Sequence, residues 1–154
     1  MNKEKLYMFN PFRIGDATPD EIKETYENLQ KEIIDEANTG FELASNIETY
    51  ANMNYLIGEM ISRLKYSYET LKAEVQVTEN KQIYIQRKQW MEVNTEKAPA
   101  MSYFEAMAKE YVAKDLKQLA DYSARLYRFQ KAYESIDAKE NALKKKLEAI
   151  RYEI

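Results

Sequence analysis

The sequence predicts an all-α protein: an elongated antiparallel helical hairpin with a shorter N-terminal helix packed on its open end. Two long segments repeat apolar residues in alternating steps of four and three, the spacing of a helix that packs against another helix. The 154 residues include only three Gly and three Pro, so few positions interrupt helices. A helix-start signal, Ser or Thr followed three residues later by Glu, precedes each periodic segment.

Residues 1–17 are predicted to form an apolar N-terminal arm, and residues 18–154 a single helical domain. The arm is punctuated by Asn10-Pro11 and Gly15-Asp16, and its apolar residues lack helical spacing: Leu6, Tyr7, Met8, Phe9, Phe12 and Ile14. A disordered tail would be poorer in apolar and aromatic groups. Two interpretations stay open: the arm folds onto the helical body, or it docks on a partner or a second copy.

The first predicted helix spans about 19–38. Thr18 is its expected N-cap, Pro19 its first residue, and Glu21 completes a capping box. One apolar stripe follows: Ile22, Tyr26, Leu29 and Ile33. We expect this stripe to lie near three residues of the second helix: Met53, Leu56 and Met60.

The second predicted helix spans about 41–91 and begins with a capping box of Thr39 and Glu42. One helix running through Gly40 from the first is the alternative, because a mid-helix glycine costs only ~1 kcal/mol relative to alanine. Ten of the fourteen seam positions are apolar or aromatic and none is charged: Leu43, Ile47, Tyr50, Asn54, Ile57, Ile61, Leu64, Tyr68, Leu71, Val75, Thr78, Gln82, Ile85 and Gln89.

The third predicted helix spans about 102–152, after a connection over 92–101. Ser102 and Glu105 form a capping box at its start. Eleven of its fourteen seam positions are apolar: Glu105, Ala108, Val112, Asp115, Leu119, Tyr122, Leu126, Phe129, Tyr133, Ile136, Glu140, Leu143, Leu147 and Ile150.

The two seams predict a register for the hairpin. If Leu43 lies opposite Ile150, stepping along both helices places Ile47 opposite Leu147 and Ile57 opposite Ile136. Three polar layers then coincide: Asn54 meets Glu140, Thr78 meets Asp115, and Gln89 meets Glu105. Only Gln82 falls opposite an apolar residue, Val112. Because a buried polar group needs a partner, such layers can fix register.

The predicted hairpin is too long for the first helix to cover. Fifty residues extend roughly 75 Å, whereas twenty residues extend only ~30 Å. The end near the connection would therefore expose apolar flanks, and such a cluster is typical of an interaction surface. We expect it to bind a partner protein or a second copy, giving a homo-oligomer, through four candidate residues: Tyr84, Trp90, Phe104 and Tyr111.

Composition argues against an enzyme. The chain has no Cys and no His, which removes thiolate and imidazole chemistry, disulfides and Cys- or His-ligated metals. No Gly-rich phosphate loop is present, and no pair of carboxylates is singled out. We therefore expect no catalytic, cofactor-binding or metal site and no small-molecule substrate.

Nucleic-acid binding is the alternative function. Residues 1–80 carry 8 Lys or Arg against 15 Asp or Glu, and residues 81–154 carry 15 against 11. This asymmetry fits either complementary faces within one fold or a basic surface offered to a partner. No acid lies between Glu79 and Glu92, and the basic and aromatic residues there suit phosphate neutralisation and base stacking: Lys81, Tyr84, Arg87, Lys88 and Trp90.

A cytoplasmic protein is predicted. The N-terminus does not resemble a signal peptide, and no apolar stretch is long enough for a membrane span. A chain without cysteine also fits the cytoplasm. We expect no membrane partner.

The segment Leu126–Ile150 resembles small helical proteins encoded by tailed phages and prophages, often among early genes for recombination and replication. The resemblance rests on Tyr127, Lys131-Ala132-Tyr133, Ile136, Lys139 and Leu143-Lys144. It implies a phage accessory protein without a catalytic site, acting in the host cytoplasm. Its function would be that of a non-enzymatic protein-interaction module, such as an inhibitor of host defence, or of a nucleic-acid-binding accessory of recombination or replication.

Overall fold

The computed structural model describes residues 8–152. This range contains a short 3-10 helix, Ile14–Asp16, and no strand; its four α-helices are α1 Pro19–Glu32, α2 Gly40–Val93, α3 Met101–Tyr111 and α4 Ala113–Tyr152. The chain divides into two compact units, unit 1 with Met1–Arg63 and Tyr127–Ile154, and unit 2 with Leu64–Leu126. The all-α class is confirmed, as is the antiparallel packing of α2 against α4 with the shorter helices packed on them.

Helix α1 begins where the sequence predicts and ends earlier. The Glu21 N–H donates to Thr18 Oγ1 at 3.1 Å, and Pro19 occupies the first turn. The helix stops at Glu32 rather than near residue 38, because Ile33 is extended. Asn46 of α2 holds the next residue: its Oδ1 accepts from Ile34 N–H at 2.8 Å and its Nδ2 donates to the Ile34 carbonyl at 2.9 Å.

Helix α2 starts with the predicted cap. The Glu42 N–H donates to Thr39 Oγ1 at 3.1 Å, and Glu42 Oε2 accepts from Asn38 N–H at 3.2 Å. These bonds satisfy backbone donors that a helix start leaves without partners. The alternative of one helix running through Gly40 is therefore excluded, since residues 33–39 are not helical.

The third predicted helix is divided into α3 and α4. Helix α3 begins at Met101 after Ala100, and no side chain caps it, so the predicted capping box of Ser102 and Glu105 does not form. The division falls at Val112, whose φ and ψ are −99° and 13°. Val112 is nevertheless deeply buried, and packing rather than a helix breaker marks this position.

The core of unit 1 confirms the predicted contact between the first helix and the hairpin. Ile22 and Leu29 of α1 are buried in one cluster with Met53, Leu56 and Ile57 of α2. Ile136 of α4 is buried in the same cluster, and three predicted residues pack against it: Tyr26, Ile33 and Met60. Burial of aliphatic side chains of this size contributes about 1.5–3 kcal/mol each, which makes this cluster the main stabilising contact of unit 1.

The described part of the N-terminal arm packs on unit 1. Met8 and Ile14 belong to the buried cluster, and Phe9 packs against it. Arg63 of α2 holds the arm by donating from Nη2 to the carbonyls of Ile14 and Gly15, at 3.0 and 3.4 Å. The interpretation that the arm folds onto the body is thus confirmed for residues 8–17, whereas Leu6 and Tyr7 lie outside the described residues.

Direct contacts adjust the predicted register. Ile57 and Ile136, which are predicted to face each other, belong to one buried cluster. Asn54, however, donates from Nδ2 to the carbonyl of Tyr133 at 3.3 Å rather than to Glu140. A Cβ on Gly40 would lie 3.6 Å from Leu147 Cδ1, although Leu147 is predicted to face Ile47. In both contacts the α4 residue lies opposite an α2 residue with a lower number than its predicted partner.

Unit 2 has fewer buried apolar residues than unit 1. It contains Val75 of α2, Phe104 and Ala108 of α3, and Val112 at the division between α3 and α4. Thr78 is partly buried, but its predicted partner Asp115 is exposed, as are Gln89 and Glu105. Two of the three predicted polar layers are therefore at least partly open to solvent. Over residues 8–152 no helix combines the length and the apolar character that crossing a membrane requires.

Candidate interaction surface

The four residues predicted to form an exposed apolar flank lie in unit 2 but differ in exposure. Tyr84 and Tyr111 are 68% and 65% exposed. Trp90 is partly buried. Phe104 is only 1% exposed, so the prediction that it belongs to an exposed flank is wrong.

Phe104 is buried because α3 turns its apolar face toward the unit 2 core. Phe104, Ala108 and Val112 follow one another in steps of four, which puts them on one face of the helix. The ring of Tyr103 meets Phe104 edge to face, with centroids 5.4 Å apart and planes at 81°. Phe104 thus packs beneath the exposed residues, whereas Tyr103 is one of them.

A groove at the connection between α2 and α3 joins two of the predicted residues. Trp90 and Phe104 line it together with Val93, Tyr103 and Met107. Val93 is 84% exposed and Tyr103 50% exposed, so large apolar side chains face solvent beside the groove. Asn94 closes the end of α2 by donating from Nδ2 to the Trp90 carbonyl at 2.9 Å.

Two exposed apolar residues of this region were missed by sequence reasoning. Val93 and Met101 fall within the predicted connection, where hydrophobic side chains were not weighed. An available signal was that large apolar residues flank residues 94–100, the connection that the structure shows: Met91 and Val93 precede it and Met101 follows it. We use "turn surface" below for the exposed apolar residues of this region: Tyr84, Met91, Val93, Met101, Tyr103 and Tyr111.

A second groove brings together part of the predicted basic cluster. Tyr84, Arg87 and Lys88 line it with Met91 and Glu92. Lys81 is exposed on the same helix, three residues before Tyr84 and seven before Lys88, which places it on the same face. Trp90 lines the other groove, so the structure does not group it with these basic residues.

Two further observations describe the chemistry available. Among residues 8–152 no group of three carboxylates is arranged to hold a metal ion. In unit 1, burial raises the pKa of the Tyr26 and Tyr55 hydroxyls, with a smaller contribution from neighbouring Tyr50 and Glu59 respectively.

No protein family model, curated protein or solved structure matches this chain.

Proposed function

We propose that this chain is a non-enzymatic protein-interaction module that binds a second copy of itself through the turn surface of unit 2. One observation carries the proposal: six large apolar side chains on the C-terminal part of α2 and on α3 remain exposed: Tyr84, Met91, Val93, Met101, Tyr103 and Tyr111. Tyr84 and Met91 line one groove, and Val93 and Tyr103 line another. Clustered apolar exposure of this kind is typical of interaction sites. Tyr and Met are also enriched at the cores of protein interfaces.

The chemistry of the sequence supports a binding role over catalysis. Without Cys and His, general acid–base or nucleophilic chemistry would depend on carboxylates, Lys or Tyr. The tyrosines on the turn surface instead supply large contact areas at low entropic cost, which suits binding.

Light scattering and sedimentation at micromolar protein test this proposal. We expect a dimeric mass, and we expect Val93→Ser with Tyr103→Ser to shift it toward the monomer. The matched control is Tyr66→Ser with Val77→Ser, two exposed apolar residues of α2 in unit 2 that lie outside both grooves.

The outcomes separate the possibilities. A dimer that survives the first pair and dissociates with the control pair places the interface elsewhere. A monomeric mass at every concentration contradicts self-association, and the turn surface would then be left for a different protein.

Nucleic-acid binding is the second candidate, favoured by the groove of Tyr84, Arg87 and Lys88. Two cations beside an exposed aromatic ring are suited to a single strand, since the cations neutralise phosphates and the ring stacks on bases. Glu92 lines the same groove and opposes this role through its charge.

A gel shift with single-stranded DNA at several salt concentrations tests this second candidate. Binding through two phosphates should weaken with added salt, and Arg87→Ala with Lys88→Ala should lower the slope of log K against log salt by about 1.4. The control is Lys139→Ala with Lys145→Ala, an exposed pair on α4 outside this groove. Equal losses from both pairs would indicate non-specific charge attraction.

We further propose the setting of this activity. The resemblance of Leu126–Ile150 to small phage helical proteins supports a phage-encoded accessory protein or inhibitor. The lack of cysteine supports the host cytoplasm as its compartment. Neighbouring genes provide the test: defence-related genes favour the protein-binding role, and a recombinase gene favours the nucleic-acid-binding role.

A further inference from the structure

A groove on unit 1 between the arm, α2 and α4 is lined by acidic side chains. Glu59 of α2 and Asp137 and Glu140 of α4 all line it. Glu59 is paired with Arg63 at 3.0 Å and Glu140 with Lys144 at 3.1 Å. Asp137 accepts one hydrogen bond, from Asn141 Nδ2 at 3.4 Å, and no ion pair to it occurs among the described residues. The groove therefore keeps negative charge that the chain does not fully neutralise.

Buried acceptors without partners lie in the same groove. Asn54 is 6% exposed and lines it. Its Nδ2 donates to the Tyr133 carbonyl, but its Oδ1 has no hydrogen-bond partner. The hydroxyl of Tyr55, another lining residue, is also buried without a partner. Such groups are uncommon in folded proteins because each loses its bonds to water without a replacement. A ligand that donates hydrogen bonds would relieve this cost.

Gly58 lines the groove and leaves space beside α2. It lies within the 54-residue helix α2, where glycine is unfavourable relative to alanine. A Cβ at this position would meet no atom within 4 Å, and its backbone φ is not positive. Neither close packing within the chain nor backbone conformation therefore requires glycine here. A ligand that lies against the helix at this point would favour a small residue there.

We propose that this groove binds the alkylammonium or guanidinium group of a ligand. The cation would pair with the carboxylates of Asp137 and Glu140, its N–H groups would donate to Asn54 Oδ1, and its alkyl chain would lie over Gly58. Asn54 Oδ1 and the Tyr55 hydroxyl are closed to solvent in the ligand-free groove. Binding therefore includes movement of a side chain that lines the groove. Glu140 can exchange its half-exposed partner Lys144 for the ligand. This proposal is independent of the turn surface on unit 2.

Two sources can supply this chemistry, a free amine or the side chain of Lys or Arg in another protein. We would titrate the ¹⁵N-labelled chain with putrescine, and separately with a blocked tripeptide Gly-Lys-Gly, each against NaCl at equal ionic strength. We expect saturable shifts of the amides of Asn54, Gly58 and Asp137, with a dissociation constant of about 1 mM or lower. Saturation by putrescine alone assigns a free amine, and saturation by the peptide alone assigns a protein side chain. Saturation by both assigns the cationic group itself, and saturation by neither overturns the proposal.

Matched variants locate the site. Asp137→Asn should weaken binding about tenfold, because it removes a charged acceptor. Glu134→Gln is the control, since Glu134 pairs with Lys131 on the same helix and does not line the groove. Gly58→Leu should abolish binding by filling the space, whereas Gly58→Ala should keep most of it, and circular dichroism establishes that each variant is folded. Equal affinity for Asp137→Asn and the parent chain, or undiminished binding by folded Gly58→Leu, would also overturn the proposal.

Discussion

Replacing Asn46 of α2 by alanine should destabilise unit 1 more than replacing Asn52 of the same helix. Asn46 is 3% exposed and both ends of its amide bond the backbone of Ile34, at 2.8 and 2.9 Å. The substitution leaves the part-buried N–H and carbonyl of Ile34 without these partners. Each lost hydrogen bond costs about 0.5–1.5 kcal/mol, or more where water cannot replace the partner, and a small gain in helix propensity opposes this loss. We expect a net loss of about 1–3 kcal/mol.

Urea unfolding followed by circular dichroism measures this loss, and hydrogen exchange at the Ile34 amide reports the local effect. Asn52→Ala is the matched control, because Asn52 lies in the same helix, is only partly buried and gains the same propensity. The control should stay within about 0.5 kcal/mol of the parent chain. A loss at Asn46 no larger than at Asn52, with unchanged exchange at Ile34, would show that these two hydrogen bonds do not hold the α1–α2 connection.

Three further predictions concern other contacts. Phe104→Ala should cost about 3–5 kcal/mol in thermal unfolding as a core truncation, and Tyr103→Ala should cost much less; similar values would contradict the burial of Phe104. Arg63→Met should speed tryptic cleavage after Arg13 about tenfold by releasing the arm, and an unchanged rate would mean that other contacts hold it. The pKa of Tyr55 is raised in the folded state, so the free energy of unfolding is unaffected by this group below pH ~10 and falls as the pH rises above it. Tyr55→Phe should therefore reduce the loss of stability at alkaline pH without lowering stability at pH 7.

The helices could be predicted because their apolar spacing reflects packing directly. On α4 the predicted seam residues from Leu119 to Ile150 are partly or fully buried except Tyr133. On α2 the agreement holds as far as Gln82, after which Gln86 and Trp90 are partly buried while Ile85 and Gln89 are exposed. A straight helix drifts about 20° per heptad, and six heptads from Leu43 amount to roughly one residue of rotation. A strict heptad count therefore missed the inward position of Trp90.

Features set by contacts distant in sequence could not be predicted in the same way. The end of α1 at Glu32 depends on a side chain twelve residues beyond Ile34, and nothing within residues 33–38 indicates it. The division at Val112 involves no Gly or Pro. For the candidate surface, the choice between Tyr103 and Phe104 as the exposed ring depends on which face α3 turns inward. Sequence reasoning assigned Phe104 to the exposed side of this helix, whereas it faces the core.

The two buried asparagines of α2 differ in how their roles could be recognised. Asn54 interrupts an apolar seam, so a polar contact with the facing helix is expected, and it does bond the backbone of α4. Asn46 lies between seam residues Leu43 and Ile47 and bonds the connection instead. An aliphatic residue at either position would bury more apolar area but would favour no particular alignment, since the hydrophobic effect is non-directional. Polar residues can specify register at some cost in stability. Asn46 thus fixes where α1 ends, and Asn54 ties α2 to Tyr133 on α4.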